Sequence, residues 1–122
     1  MRIVWPSLGT PEEFRTGNGD YSEGGGEDVG EIEDKNLLNA DGQEMAIRIY
    51  RPEGVSDKAP VTVFFHGGGW VVGNINSHDG QCRGITNSSG VVIIAVDYRK
   101  APEYPFPTPP EDCYSAVCQI VS

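Results

Sequence analysis

Long apolar runs are the first thing this sequence lacks. Nowhere do about 18 consecutive apolar residues occur, the length a membrane-spanning helix needs, and no apolar stretch follows the start Met1 to Pro6 as in a secretory leader. Spanning and secretion are therefore unsupported, and a cytoplasmic location is expected. Basic residues are scarce as well: nine Lys and Arg stand against 18 Asp and Glu, a formal charge of −9, which excludes nucleic acid as a natural partner. The surplus is lopsided, since residues 1–58 hold 13 of the acids and six of the bases. Solvated charge that keeps the chain soluble accounts for it. Cysteine is sparse too. Cys82, Cys113 and Cys118 are an odd number without a Cys-x-x-Cys spacing, so neither a disulfide framework nor a zinc site is signalled, and reduced, partly buried thiols are expected.

What the chain has in excess is glycine, 16 residues, with nine prolines, in 122 residues that leave room for one small or partial domain. Residues 1–30 form an acidic, glycine-rich segment. Between Gly17 and Gly30 six glycines and four acids leave only Tyr21 and Val29 to bury, too little to offset the entropy of ordering, and disorder is expected over most of it. A short helix can begin at Thr10 and Pro11. Residues 31–122 read as the partial domain.

In that domain Met45, Ile47 and Ile49 alternate with Ala46, Arg48 and Tyr50, the period of a half-buried strand. Asp41-Gly42 before it suits a two-residue hairpin turn, which makes residues 31–39 the antiparallel partner. Pro60 to His66 and Val91 to Val96 are apolar on both faces, the pattern of central parallel strands covered by helices. The 24 residues between them suffice for a crossover helix, with Ser77 as its cap, Asp79 in its first turn, Cys82, Ile85 and Ser89 on its buried face and Gly90 as its stop. From Pro109 and Pro110, a last helix places Cys113, Ala116, Val117, Ile120 and Val121 on one face.

His66-Gly67-Gly68-Gly69-Trp70 follows directly on the C-terminal end of the first buried strand, where open parallel sheets bind ligands. Consecutive glycines let backbone N–H groups turn toward an oxygen that gathers negative charge, with no Cβ in the way. They also make a plain flexible turn, and the spacing alone leaves both readings open. A phosphate loop is excluded, because no Gly-Lys-Ser/Thr follows and the glycines do not fit Gly-x-Gly-x-x-Gly. A metal site from His66, His78 and Asp79 lacks the usual ligand spacings. No cofactor and no metal are implied.

Further motifs stand in order around this loop: Asp41-Gly42, Arg48 to Pro52, Gly73, Ser77 to Asp79, Cys82-Arg83, Val96 to Arg99, Ala101 to Glu103, Phe106-Pro107 and Asp112. With His66 to Trp70 they resemble the hormone-sensitive-lipase-like branch of the α/β-hydrolases over residues 31–122. The glycine-rich start departs from that family, whose first residues usually form helices capping the pocket.

The resemblance implies a truncated α/β-hydrolase fold: an N-terminal antiparallel hairpin, a parallel β-α-β unit and a final helix. It implies a carboxylic ester hydrolase acting on a small-molecule ester, with the amides of Gly67 and Gly68 as oxyanion donors. His66 and Gly69 would support the loop, and Trp70 would wall the pocket. His78 and Asp79 would be scaffolding, and Arg99 with Glu103 a local brace.

Such enzymes also need a serine in Gly-x-Ser-x-Gly, then an acid and a histidine. No serine here meets the pattern: Ser88 has Thr86 two residues before it, and Ser22 has Asp20. No catalytic residue is therefore expected in this chain, which should be inactive alone, and Val61, Val63 and Phe65 should border an open sheet edge. The alternatives are a ligand-binding member of the same fold, like the gibberellin receptors, or a fragment that needs a partner chain.

Overall fold

The computed structural model describes residues 26–122; the helix expected from Thr10 and most of the glycine-rich segment lie outside them. Four strands form one mixed sheet: β1 (Glu31–Leu38), β2 (Glu44–Arg51), β3 (Val61–Phe64) and β4 (Val92–Val96). Two helices accompany it, α1 (Asp79–Ser89) and α2 (Thr108–Val121). The strand order is β1-β2-β4-β3, with β1 and β4 both antiparallel to β2, and β3 parallel to β4. The expected hairpin, β-α-β unit and final helix are all present.

The period of two sorts side chains between two cores. Met45, Ile47 and Ile49 of β2 join Val92, Ile94 and Val96 of β4 on the face covered by Ala116 of α2. Tyr50, Ile93 and Ala95 point the other way, where Cys82 of α1 and Ile75 meet them. All five residues of β4 are buried, as suits an interior strand with β2 on one side and β3 on the other. Each fully buried aliphatic side chain there contributes roughly 1.5–3 kcal/mol relative to exposure.

The other apolar run does not hold a central place. β3 lies at the sheet edge, and Val61 is 49% exposed. Its apolar character matches cover on both sides, but among the described residues a strand pairs with it on one side alone. The Val92 amide bonds to Pro60 O, and residues alternate sides along a parallel ladder. The backbone groups of Val61 and Val63 therefore face outward, as the edge expectation required.

The hairpin turn also differs from expectation. Leu38 pairs with Glu44, and the Asn39 amide bonds to Gln43 O at 2.8 Å, so the loop is Ala40–Gly42, three residues and not two. Only Gly42 takes a positive φ, +78°. The Asn39 carboxamide explains the preference: its Oδ1 accepts the amides of Asp41 (2.9 Å) and Gln43 (3.0 Å), building the turn before the glycine is reached.

At α1, Ser77 is not the cap. His78 holds the cap position without a side-chain bond, while Ser77 and Asn74 satisfy each other through the Asn74 amide to Ser77 Oγ (2.8 Å) and the Ser77 amide to Asn74 Oδ1 (2.7 Å). The buried face is Cys82 and Thr86; Ile85 is exposed. Thr86 replaces it because its hydroxyl bonds to Val91 O, tying the helix end to the entry of β4. Gly90 stops the helix as expected, at φ +72°, its amide on Thr86 O. Residues 26–30 run along α1, held by Arg83 Nη1 on Glu27 O (3.0 Å) and Asn87 Nδ2 on Asp28 O (2.9 Å). In α2 the expected face is buried at Cys113 and Ala116 but not at Val121.

Candidate functional site

β3 and β4 run parallel and end together, and the chain leaves β3 through Phe65 and His66 into the glycine loop. Three positive φ angles in succession turn it back: Gly68 +133°, Gly69 +62° and Trp70 +66°. A left-handed backbone costs a residue with a Cβ about 1–2 kcal/mol, which the glycines avoid and Trp70 does not. The amides of Val71 and Val72 both bond to Gly68 O, at 3.1 and 3.0 Å. A Cβ on Gly68 would run into Val72 O, whereas one on Gly67 would meet open space.

The Gly67 carbonyl is also occupied, by His66 Nδ1 at 2.8 Å. A carbonyl only accepts, so Nδ1 carries the proton and Nε2 is the bare nitrogen of the neutral ring. Burial pushes the His66 pKa below its ordinary value, against the opposing pull of the Gly67 carbonyl. The imidazole is 5% exposed and stacked on Tyr98, with ring centres 4.4 Å apart. Tyr98 Oη in turn donates to His66 O at 2.7 Å.

Both glycine carbonyls are thus engaged, while among the described residues neither the Gly67 nor the Gly68 amide donates a hydrogen bond. Both glycines line a cavity of about 270 Å³ together with Phe65, His66, Gly69, Trp70 and Tyr98. Trp70 is half exposed at its rim, edge-on to Tyr98 at 5.3 Å.

The structure therefore brings His66, Gly67, Gly68, Gly69 and Trp70 to one cavity. His78 stands beside it, its ring 5.4 Å from that of His66. Asp79 faces elsewhere, accepting Tyr50 Oη at 2.6 Å, Arg83 Nε at 2.8 Å and Arg48 Nη1 at 3.3 Å. Burial raises its pKa, but the tyrosine and arginine bonds outweigh that and hold it below the usual carboxylate range. Among the described residues no group of three His, Cys, Asp or Glu side chains is placed to hold a metal ion.

Arg99 is more than a local brace. Its Nε and Nη2 each reach the Asp112 carboxylate at 2.8 Å, its Nη1 reaches Asp41 at 2.6 Å, and Tyr104 lies 5.0 Å beneath the guanidinium. Sequence reasoning gave Tyr98 and Gly73 no role in the site. Both stood inside the ordered motifs, yet what they do lies in their packing against His66, which spacing does not reveal.

A family model described as alpha/beta hydrolase fold matches residues 62–122, half of the chain. The chain belongs to this family. Among curated relatives, Lipase 2 of Moraxella sp. (strain TA144) is 39% identical over 115 residues, 90% of this chain and 26% of that protein. The carboxylic ester hydrolase LipN of Mycobacterium tuberculosis is 42% identical over 73 residues, 60% of this chain and 19% of that protein. Among solved structures, the ester-hydrolase EH1AB1 from the Lake Arreo metagenome superposes with a TM-score of 0.83 at 33% identity, covering 98% of this chain and 38% of that one. This α/β-hydrolase is of the hormone-sensitive-lipase-like branch and carries the N-terminal part of the fold. It spans about a quarter of the length of the curated relatives it matches. No helix among its described residues is long and apolar enough to cross a membrane.

Proposed function

We propose that this chain supplies the oxyanion-binding part of a carboxylic ester hydrolase, with the nucleophile, acid and base carried by polypeptide other than these 122 residues. The observation that carries the reading is the division of labour at Gly67 and Gly68: their carbonyls are held, their amides are not, and both residues line a cavity where parallel strands end. An ester carbonyl seated there would meet preset donors as it gathers charge, so little reorganisation accompanies the reaction. His66 and Gly69 shape the loop, and Trp70 walls the cavity that receives the small-molecule ester. The names of the relatives, lipase and carboxylic ester hydrolase, support the same reaction class.

The 122-residue chain, which contains no Gly-x-Ser-x-Gly, is not labelled by a fluorophosphonate probe; stoichiometric labelling of a serine would contradict the reading. A longer product that includes the nucleophile hydrolyses short p-nitrophenyl esters, and replacing Gly68 by valine, whose Cβ runs into Val72 O and shifts the N–H out of place, lowers its kcat by roughly 10²–10³, the usual effect of losing one oxyanion donor. Unchanged turnover in that variant would remove the assignment.

A further inference from the structure

Gly73, on the arm of chain that returns from the glycine loop, sits at φ +91° with its α-carbon against the His66 ring. A Cβ there would stand 2.5 Å from His66 Nδ1, 2.7 Å from Gly67 O and 3.1 Å from His66 Cε1. The first two atoms are the donor and acceptor of a single hydrogen bond. The ring is closely packed. The imidazole is buried, with Tyr98 stacked on it and His78 close by, and its Nε2 has no partner among the described residues.

We propose that Gly73 is a positioning residue for the glycine loop: by leaving empty the space where any other side chain would begin, it admits the His66 imidazole beneath the Gly67 carbonyl. The consequence runs through the peptide unit joining Gly67 and Gly68. In a trans peptide the C=O and N–H point in opposite directions. Fixing Gly67 O on the imidazole therefore turns the Gly68 N–H away from the ring. Because the carbonyl accepts, the same contact selects the ring tautomer with the proton on Nδ1, since the hydrogen bond one nitrogen makes sets the state of the other. A Cβ at position 73 would displace the ring or the carbonyl, and a ring freed from that carbonyl keeps only the longer contact of Nδ1 with Tyr98 Oη, 3.3 Å, to hold its proton there. The purpose of the aimed amide rests on the ester-hydrolase reading; the link from Gly73 to the ring tautomer does not.

The test is NMR of the 122-residue chain with ¹⁵N-labelled histidine, reading which nitrogen of His66 carries the proton and where the Gly68 amide resonates. In the wild-type chain the proton is expected on Nδ1. Gly73→Ala is expected to abolish that signal in favour of Nε2–H and to shift the Gly68 amide. Gly90→Ala is the control: its φ of +72° carries comparable backbone strain with nothing within 4 Å of the added Cβ, and it leaves both signals in place. A Gly73→Ala chain that keeps the Nδ1 proton and the Gly68 resonance overturns the proposal. So does an Nε2–H ring in the wild-type chain, a result that does not depend on the variant folding. If turnover by a longer product proves indifferent to Gly68 while the tautomer switches as described, the oxyanion reading fails and the positioning by Gly73 stands.

Discussion

Arg99 and Asp112 meet as a bidentate pair inside the fold, two bonds of 2.8 Å to a carboxylate with no solvent exposure. The amides of Ala40 and Arg99 complete the carboxylate's shell, each at 3.1 Å. Asp112→Ala would strip the guanidinium of its buried partner and leave it the exposed Asp41 carboxylate alone, a loss of about 3 kcal/mol. Against a total stability of roughly 5–15 kcal/mol for a domain, that is a large share of the margin. The expected result is a large drop in the urea midpoint; a change under 1 kcal/mol would show that the pair is dispensable.

Acid should lower the stability of the protein over two pH ranges. His66 has its pKa lowered in the fold from an ordinary 6.5 by burial, so the unfolded chain takes up this proton first, and stability falls as pH drops from about 6.5 toward the lower folded value. Asp79 and Asp112 are lowered from 3.8: burial opposes ionisation, and hydrogen bonds from Tyr50 and Arg83, and from Arg99 and two amides, overcome it. Their contribution is complete above 3.8 and is lost as pH falls through the folded values. Melting temperature against pH should lose its upper step in His66→Phe and keep the lower one.

The two neighbouring glycines should behave differently toward alanine. Gly68→Ala strains a φ of +133° and drives a methyl group into Val72 O, and is expected to cost more than 2 kcal/mol. Gly67→Ala adds a methyl group to open space and is expected to stay within about 0.5 kcal/mol. Equal unfolding midpoints would refute this geometry of the loop.

At the sheet edge, Val61 and Val63 present outward backbone groups beside exposed apolar surface. Such edges associate, and a lysine blunts them. Light scattering of the 122-residue chain should show concentration-dependent association that Val61→Lys reduces; a monomer at all concentrations would contradict it.

Much of this structure was legible because burial writes a period into the sequence. The alternation of Met45, Ile47 and Ile49 and the unbroken run Val92 to Val96 each named a strand and its environment. The glycines beside His66 marked a loop of unusual backbone, and the order of motifs named the family. What stayed hidden depends on neighbours distant in sequence. Nothing in Pro60 to Phe65 says which of its sides has a partner, and nothing in Asn39 says that its carboxamide will turn Asp41-Gly42 into a three-residue loop. Thr86 displaced Ile85 from the buried face through one hydroxyl bond that a hydrophobic pattern does not register. Gly73 looked like any loop glycine until the imidazole was placed against it.

Tyr98 and Arg99 are adjacent in the chain yet grip different parts of the molecule. The phenol supports His66, and the guanidinium clasps the hairpin loop and the last helix. This dipeptide is a fulcrum: slack introduced at the hairpin tip or at Asp112, tens of residues away, has a direct lever arm onto the ground beneath the glycines. Damage that a map of the cavity would file as remote can for that reason shift the glycine loop without touching it.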